Sequence, residues 1–171
     1  MWKNTGQRRP DFAVEPGPGQ ESVWDYPRPP VLQPDSRRVV VRAGDRIIAD
    51  STGSIRVCET ASPPTFYIPP DDVDFRLLSR TTAHTFCEWK GRADYFDFVA
   101  ESHAVPCVGW AYPEPSGQFA RIAGWLSFYA NRAHCFVDND PVQPQAGGFY
   151  GGWVTAEVVG PFKGDPGTGG W

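Results

Sequence analysis

The chain has 171 residues and a formal charge of −4 at pH 7, which fits one domain of ordinary size with extended flanks. The charge is mild and mixed in sign, and this disfavours nucleic-acid binding by a basic face. There is no run of about eighteen apolar residues and no apolar core of a signal peptide, so we expect a cytoplasmic protein without a membrane segment.

Glycine and proline, with eighteen residues each, are concentrated in the two flanks of the chain. Residues 1–12 are polar and basic and are predicted to be disordered. Residues 13–37 are too rich in proline for a helix or an inner strand, and they predict an extended strap or, alternatively, a disordered linker. Residues 38–143 are predicted to form the folded core, and the glycine- and aromatic-rich residues 144–171 to wrap around it.

Short runs of β-branched and aromatic residues, separated by turn signals, predict about eight strands in the core. In chain order they are Arg38–Arg42, Ile47–Asp50, Ile55–Thr60, His84–Lys90, Ala93–Ala100, Val105–Tyr112, Trp125–Tyr129 and Cys135–Val137. The first two strands form a hairpin with Gly44 and Asp45 at its tip. The remaining predicted elements are one short helix at Asp71–Leu78, a helical turn at Ser116–Ile122 and a strand-like run at Trp153–Val159. The pattern predicts an all-β, mainly antiparallel sandwich or open barrel.

Glu59 is a charged residue at the end of an otherwise apolar strand face. Side chains alternate in an extended segment, so Ile55, Val57 and Glu59 point to the same side. Either the strand ends at Glu59 and its carboxylate meets water, or the carboxylate is carried to the edge of the core. Two proline pairs then fix the backbone around residues 65–68, and we expect this rigid corner to bring Tyr67 near Glu59.

One pattern has the residue order of a polymerase-like nucleotidyltransferase. Such an enzyme requires a Gly-Ser pair that opens a helix, followed by a strand with two carboxylates that hold metal ions. Gly53-Ser54, Asp72 and Asp74 occur in that order. However, Gly53-Ser54 leads into a β-branched strand, and the two carboxylates stand at a predicted helix start. We therefore interpret these carboxylates as solvated helix caps.

The chain contains four cysteines, at Cys58, Cys87, Cys107 and Cys135. They are widely spaced and form no C-x-x-C pair, so we expect no bound metal and no other cofactor. His84 and Lys90 lie three residues on either side of Cys87, an offset that places residues on opposite faces of a strand. Two interpretations of Cys87 therefore remain, a buried inert thiol and a nucleophile.

Several uncommon motifs follow one another along the core: VRAGDRIIADS, RVCETASPPTFYIPPDDV, TFCEWKGRADYFDF, WAYPEP and IAGWLSFY. Over roughly residues 39–138 they resemble the bacterial family catalogued as domain of unknown function 427. The resemblance implies a β-tent, a pair of antiparallel sheets that meet at an angle, with one or two short helices. That fold is similar to the ligand-binding domain of cereblon, where an aromatic cage holds a cyclic imide or a uracil-like ring. The zinc of those relatives is not implied, because this chain lacks both C-x-x-C knuckles.

By the family pattern, eight positions are the candidates for a ligand site: Glu59, Tyr67, Asp72, Cys87, Lys90, Tyr95, Trp110 and Tyr112. Aromatic faces with polar tips, and the opposite charges of Glu59 and Lys90, fit a small-molecule pocket. The alternative is that the aromatic residues are core and that Glu59 and Lys90 form a salt bridge. We expect a pocket for a small polar or heterocyclic ligand. The competing functions are an enzyme acting through Glu59, Lys90 or Cys87, with nucleotidyltransferase as its catalogue label, and a protein-interaction module that uses the flanks.

Overall fold

A computed structural model describes residues 2–171, which consist mostly of short β-strands and turns. The strands are β1 (Glu21–Ser22), β2 (Val31–Asp35), β3 (Val39–Ala43), β4 (Arg46–Ser51), β5 (Ser54–Cys58), β6 (Thr65–Tyr67), β7 (Leu78–Cys87), β8 (Gly91–Ala100), β9 (His103–Ala111), β10 (Leu126–Phe128), β11 (His134–Val137), β12 (Asp140–Pro141), β13 (Gln143–Pro144), β14 (Trp153–Val154) and β15 (Val158–Val159). The 3-10 turns are Val23–Asp25, Pro70–Asp72, Phe75–Leu77 and Gly117–Ile122. From residue 2 onward, no helical segment has the length and apolarity to span a bilayer.

Three antiparallel sheets contain most of the strands, with the orders β10-β9-β8-β7, β12-β11-β3-β4 and β2-β5-β6. A bridge between Ile68 and Leu126 joins the end of the three-stranded sheet to β10. Two short pairs complete the fold, antiparallel β13-β14 and parallel β1-β15. The prediction of an all-β, mainly antiparallel fold is confirmed. The β-tent resemblance implies two sheets, whereas the strands of residues 31–141 form three.

The hairpin formed by β3 and β4 is as the sequence predicts. Val39 and Val41 are buried and point to one side of the sheet, as strand alternation requires. The turn is at Gly44 and Asp45, and Gly44 has a φ of +58°, a backbone conformation that glycine adopts without steric cost. The β-branched run therefore sets both the register and the buried face of this hairpin.

The single helix predicted at Asp71–Leu78 is wrong, because the segment forms two separate 3-10 turns. Val73, between the turns, is extended with φ −115° and ψ 130°. It bridges to Ala49 of β4, and the next residue, Asp74, donates its main-chain N–H to Ile48. The sheet edge thus takes the hydrogen bonds that a continuous helix would have used, and tertiary pairing overrides the local helix signal.

The proline-rich strap contributes an edge strand to the core. Residues 31–35 pair along their whole length with β5, so the sheet begins before Arg38. Pro34 is accommodated because β2 lies at the outside of its sheet, where a missing N–H costs no ladder hydrogen bond. Arg56 of β5 holds this region by ion pairs with Asp35 and with Glu21 of the strap.

The residues predicted to be disordered, 1–12, have partners over the part that the structure describes, while Met1 lies outside the described residues. Arg9 forms ion pairs with Glu15 and Asp25. Phe12 stacks on Trp171 with ring centroids 5.2 Å apart. Ionic contacts and aromatic stacking with the tail, rather than local backbone pattern, place this segment.

The C-terminal tail enters the main core through Trp153. Its side chain is 0% exposed and stacks on Phe66 at 4.8 Å between ring centroids. Its indole Nε1 donates to the main-chain oxygen of Phe128 at 2.8 Å, so the polar end of the ring is satisfied inside the core. The strand-like run predicted at residues 153–159 is instead two short strands, β14 and β15, which pair with different partners.

We expect Trp153→Ala to lower the free energy of unfolding by about 3–5 kcal/mol, because it removes a fully buried aromatic side chain and leaves a cavity. Phe149→Ala is the matched control in the same tail, since Phe149 is 61% exposed and should change stability by less than about 0.5 kcal/mol. Urea denaturation followed by tryptophan fluorescence measures both variants. Equal stability of the two variants would contradict a tail that is part of the core.

Candidate ligand-binding site

A cavity of about 390 Å³ lies where strands from two sheets face each other. Seven of the eight residues chosen from the sequence line it: Glu59, Tyr67, Cys87, Lys90, Tyr95, Trp110 and Tyr112. Strands β5 and β6 provide one side of the wall, and β7, β8 and β9 provide the other. The volume is in the range of about 300–1,000 Å³ that is usual for small-molecule sites.

Asp72 is the one chosen residue that does not line the cavity. Its carboxylate accepts a 2.6 Å hydrogen bond from the hydroxyl of Ser51. Asp74 accepts from the main-chain N–H of Arg76 and forms an ion pair with the same residue, so its carboxylate caps a 3-10 turn as the sequence predicts. Ser54 opens strand β5 and no helix. The residues of the polymerase-like pattern therefore form contacts with neighbouring parts of the chain.

The floor of the cavity is a cluster of aromatic side chains that fix one another. Trp110 donates its indole N–H to the hydroxyl of Tyr67 at 3.3 Å. Its ring lies 4.5 Å from that of Tyr129, and Tyr67 lies 6.3 Å from Tyr112, measured between centroids. Tyr129 was not among the chosen residues, because it lies just beyond strand β10 and no local signal connects it to the others.

Polar groups of the wall are only partly satisfied by the protein. Thr85 and Tyr95 share a hydrogen bond of 2.7 Å between their hydroxyls. The hydroxyl of Tyr129 donates to the main-chain oxygen of Phe149 at 3.1 Å. The buried indole N–H of Trp89, which also belongs to the wall, has no hydrogen-bond partner within residues 2–171. This N–H is therefore unsatisfied inside the wall.

The two flanks close the cavity from above. Trp2 comes from the N-terminal segment, and Tyr150, Gly151 and Lys163 come from the tail. Gly151 lies against the indole of Trp110 so closely that a Cβ would stand 2.1 Å from the ring, hence only glycine fits at this position. The sequence predicts a wrapping tail, but it does not identify these residues as part of the site.

Gln145 ties the parts of the tail together at the cavity edge. Its side-chain amide donates to the main-chain oxygen of Lys163 at 2.6 Å and accepts from the N–H of Gly152 at 2.9 Å. The main-chain N–H of Lys163 donates in turn to Ala61 at 2.7 Å. Lys163 is therefore positioned by hydrogen bonds that leave its side chain free to enter the cavity.

Two lysines reach the cavity wall with little exposure to solvent. Lys90, in the turn between β7 and β8, is 7% exposed, and its Nζ lies 5.3 Å from the ring centre of Tyr112. Lys163 is 6% exposed, and its Nζ lies 5.1 Å from the ring of Trp2 and 5.4 Å from that of Tyr150. Burial lowers the pKa of Lys163, and the positive charge of Arg28 lowers it further.

Glu59 pairs with Arg28 and does not form the salt bridge with Lys90 that the sequence left open. Strand β5 ends at Cys58, so Glu59 stands just beyond it at the cavity edge. The guanidinium Nε of Arg28 lies 3.0 Å from the carboxylate. Arg28 also donates to the main-chain oxygen of Thr60 at 2.7 Å, and Trp2 covers it at 4.3 Å. Sequence reasoning missed Arg28 because it is distant in the chain.

Cys87 ends strand β7 and is half-buried in the cavity wall, whereas His84 is exposed on the same strand. This difference follows the alternation of strand side chains. Within residues 2–171, no group of three or more His, Cys, Asp or Glu side chains is arranged to hold a metal ion. The nucleophile interpretation of Cys87 and the expected absence of a metal both stay predictions.

Comparison with known protein families identifies the family of this chain. Residues 31–139, well over half of the chain, match the family described as "Domain of unknown function (DUF427)". No curated protein matches the chain. All eight chosen positions fall inside the matched segment, while Trp2, Tyr150, Gly151 and Lys163 fall outside it.

We expect Glu59→Gln to lower the free energy of unfolding by about 1–3 kcal/mol, because it leaves the buried guanidinium of Arg28 without its carboxylate. Glu88→Gln is the matched control, since Glu88 is an exposed carboxylate on the same cavity and should cost less than about 0.5 kcal/mol. A double-mutant cycle with Arg28→Met isolates the coupling of the pair by denaturation. A coupling near zero would mean that the pair does not stabilise the fold.

Four tyrosines should resist ionisation in the folded protein. Burial raises the pKa values of Tyr26, Tyr67, Tyr112 and Tyr129 well above the ordinary value of about 10. These groups favour the folded state fully below about pH 10, and this contribution is lost as the pH rises further, because only the unfolded chain ionises them. Ultraviolet titration of native and urea-unfolded protein at about pH 11 should therefore differ by about four phenolates. Equal absorbance in the two states would contradict the burial.

Proposed function

Since the chain belongs to the domain of unknown function 427 family, we propose that it binds a small, ring-bearing polar molecule in the cavity between its sheets. One observation supports this proposal above the others. Seven positions chosen from the sequence for a ligand site, on five different chain segments, line the same cavity. Aromatic residues that were needed only as core would have no reason to converge on one concave surface.

The wall combines rigid aromatic faces with a polar group that has no partner. Tyr67, Trp110 and Tyr129 are packed against one another, so their faces are fixed before any ligand arrives. A fixed site spends little free energy on ordering its side chains when it binds. The indole N–H of Trp89 is buried without a partner among the described residues, which costs about 1–3 kcal/mol in the free protein.

The exposed part of the cavity lining includes several aromatic side chains, beside the carboxylate of Glu88. Phe86 is 82% exposed, and Phe149 and Tyr150 are also exposed at the same opening. Such exposed aromatic side chains are unusual unless they meet a ligand or a partner. Because these residues line the cavity itself, we attribute them to the entry of a ring-bearing molecule.

The enzymatic alternative carried by the catalogue label receives less support from the geometry. The carboxylate of Asp72 is bound to Ser51, and that of Asp74 is bound to Arg76. Both side chains are outside the cavity wall. A nucleotidyltransferase acts through metal-binding carboxylates at the substrate, and the carboxylates at this cavity are instead Glu59 and Glu88.

A substitution that fills the cavity with a bulky side chain tests the proposal. Thr65→Phe places a ring inside the cavity from strand β6, where Thr65 is half-buried, and should keep the fold while abolishing binding. Thr82→Phe makes the same change at an exposed position of β7 and should bind as wild type does. A metabolite thermal-shift screen, with mass spectrometry of co-purified compounds, identifies the ligands on which the two variants are compared.

The expected outcome is a set of compounds that raise the melting temperature of wild type and of Thr82→Phe but not of Thr65→Phe. If both variants respond like wild type, the compounds bind elsewhere and the proposal for this cavity is wrong. If the protein chemically converts a stabilising compound, the enzymatic alternative is correct for this site.

A further inference from the structure

We propose that the molecule bound in this cavity is an organic anion, a flat ring carrying a carboxylate or phosphate group whose charge is met by Lys90 and Lys163. This inference rests on the proposed function and specifies the chemistry of its ligand. The two lysines enter the cavity from different parts of the chain, one from the turn between β7 and β8 and the other from the tail.

The distribution of lysine in this chain is unusual. There are three lysines in all, against thirteen arginines. Only Lys3 is exposed, whereas Lys90 and Lys163 are 7% and 6% exposed and both line the cavity. Lysine is almost never fully buried unless it is paired. Two of three lysines at one cavity therefore require an explanation by a partner.

No acidic side chain of the protein supplies that partner. Across residues 2–171, no Asp or Glu side chain lies within ion-pair distance of either lysine. The carboxylates on the cavity wall are Glu59, which is engaged by Arg28, and Glu88, which is exposed. The Nζ of Lys163 has one oxygen near it, that of Trp171 at 3.4 Å.

Aromatic rings hold the two ammonium groups without neutralising them. Tyr112 and Phe119 lie near Lys90, and Trp2 and Tyr150 lie near Lys163, with ring centres 5.1–5.6 Å from each Nζ. Contacts of this kind orient a cation but leave its full charge. Burial and the neighbouring Arg28 lower the pKa of Lys163, whereas Glu59 and Glu88 raise it. An anion would complete this electrostatic arrangement.

The aromatic floor of the cavity determines the rest of the ligand. Tyr67 and Trp110 form this floor, and their rings offer a face on which a planar group packs. A ring with an attached oxyanion matches the lysines and the aromatic floor together.

Four naphthalene compounds of nearly equal size test the inference on wild-type protein: 2-naphthoate, 2-naphthyl phosphate, 2-naphthamide and 2-naphthamidine. They share the ring and differ in charge, and isothermal titration calorimetry gives each dissociation constant. We expect one or both anions to bind at least about tenfold tighter than the amide, since a hydrogen bond to a charged group contributes that much. The amidine should bind most weakly. The ratio of naphthoate to naphthyl phosphate distinguishes a carboxylate site from a phosphate site.

Three lysine variants show which lysines produce the preference for the anion over the amide. Lys90→Met and Lys163→Met keep the length of the side chain and remove its charge, and each should reduce the preference for the anion over the amide by about tenfold. Lys3→Met changes the exposed lysine and should leave the preference as in wild type. The apo melting temperatures of the two cavity variants should equal or exceed that of wild type, since each loses an unpaired buried charge.

The outcomes are distinct. If the amide or the amidine binds as tightly as both anions, the inference is overturned while the cavity remains a binding site. If none of the four compounds binds, the inference is overturned, while the metabolite screen with Thr65→Phe still decides the proposed function. Because the comparison of the probes uses wild-type protein alone, it decides the question even if a variant does not fold.

Discussion

Trp153 attaches the tail to the core, and the cavity depends on that contact. Its ring is buried on Phe66 and its main-chain N–H donates to Pro64 at 2.8 Å, beside the proline-fixed corner. The two residues before it are glycines, which lets the chain pass over Pro63 and then over the ring of Trp110 without a side chain between them. The position of Tyr150 and Lys163 above the cavity follows from this crossing. A loss of the contact would open the site even with every residue of the matched family segment unchanged.

The buried cationic side chains of this protein have two different kinds of surroundings. Arg28 has a carboxylate, a main-chain oxygen and an aromatic cover, so its charge and its hydrogen-bonding groups are met inside the protein. Lys90 and Lys163 are equally buried, yet they meet mainly ring faces. A buried charge without an ionic partner is costly. The contrast separates Arg28, which stabilises the fold, from two lysines whose charge the proposed anion would meet.

Local pattern in the sequence was sufficient for most strands. Alternation of apolar side chains is a local property, and it correctly placed β3, β4 and β9. The resemblance to the family, not local pattern, supplied the site positions. What failed were pairings between distant segments: Arg28 with Glu59, Val73 with Ala49, and the tail with the cavity. No periodicity encodes such contacts, since tertiary packing determines them. The scarcity of lysine is visible in the sequence, but all three lysines directly follow an aromatic residue, so the sequence does not distinguish Lys90 and Lys163 from the exposed Lys3.

The division between the matched segment and the flanks assigns different roles to the two parts of the site. The segment from residue 31 to 139 contains the aromatic floor and Lys90, so it supplies a concave surface with one positive charge. The flanks contribute Trp2, Tyr150 and Lys163, which add the cover and the second charge. An open groove with one cation binds a planar anion only weakly, because water competes at the exposed side. For the proposed anion, the flanks would provide the cover and the second positive charge. They also support the floor itself, because Gly151 lies against the ring of Trp110 and Phe149 accepts a hydrogen bond from Tyr129.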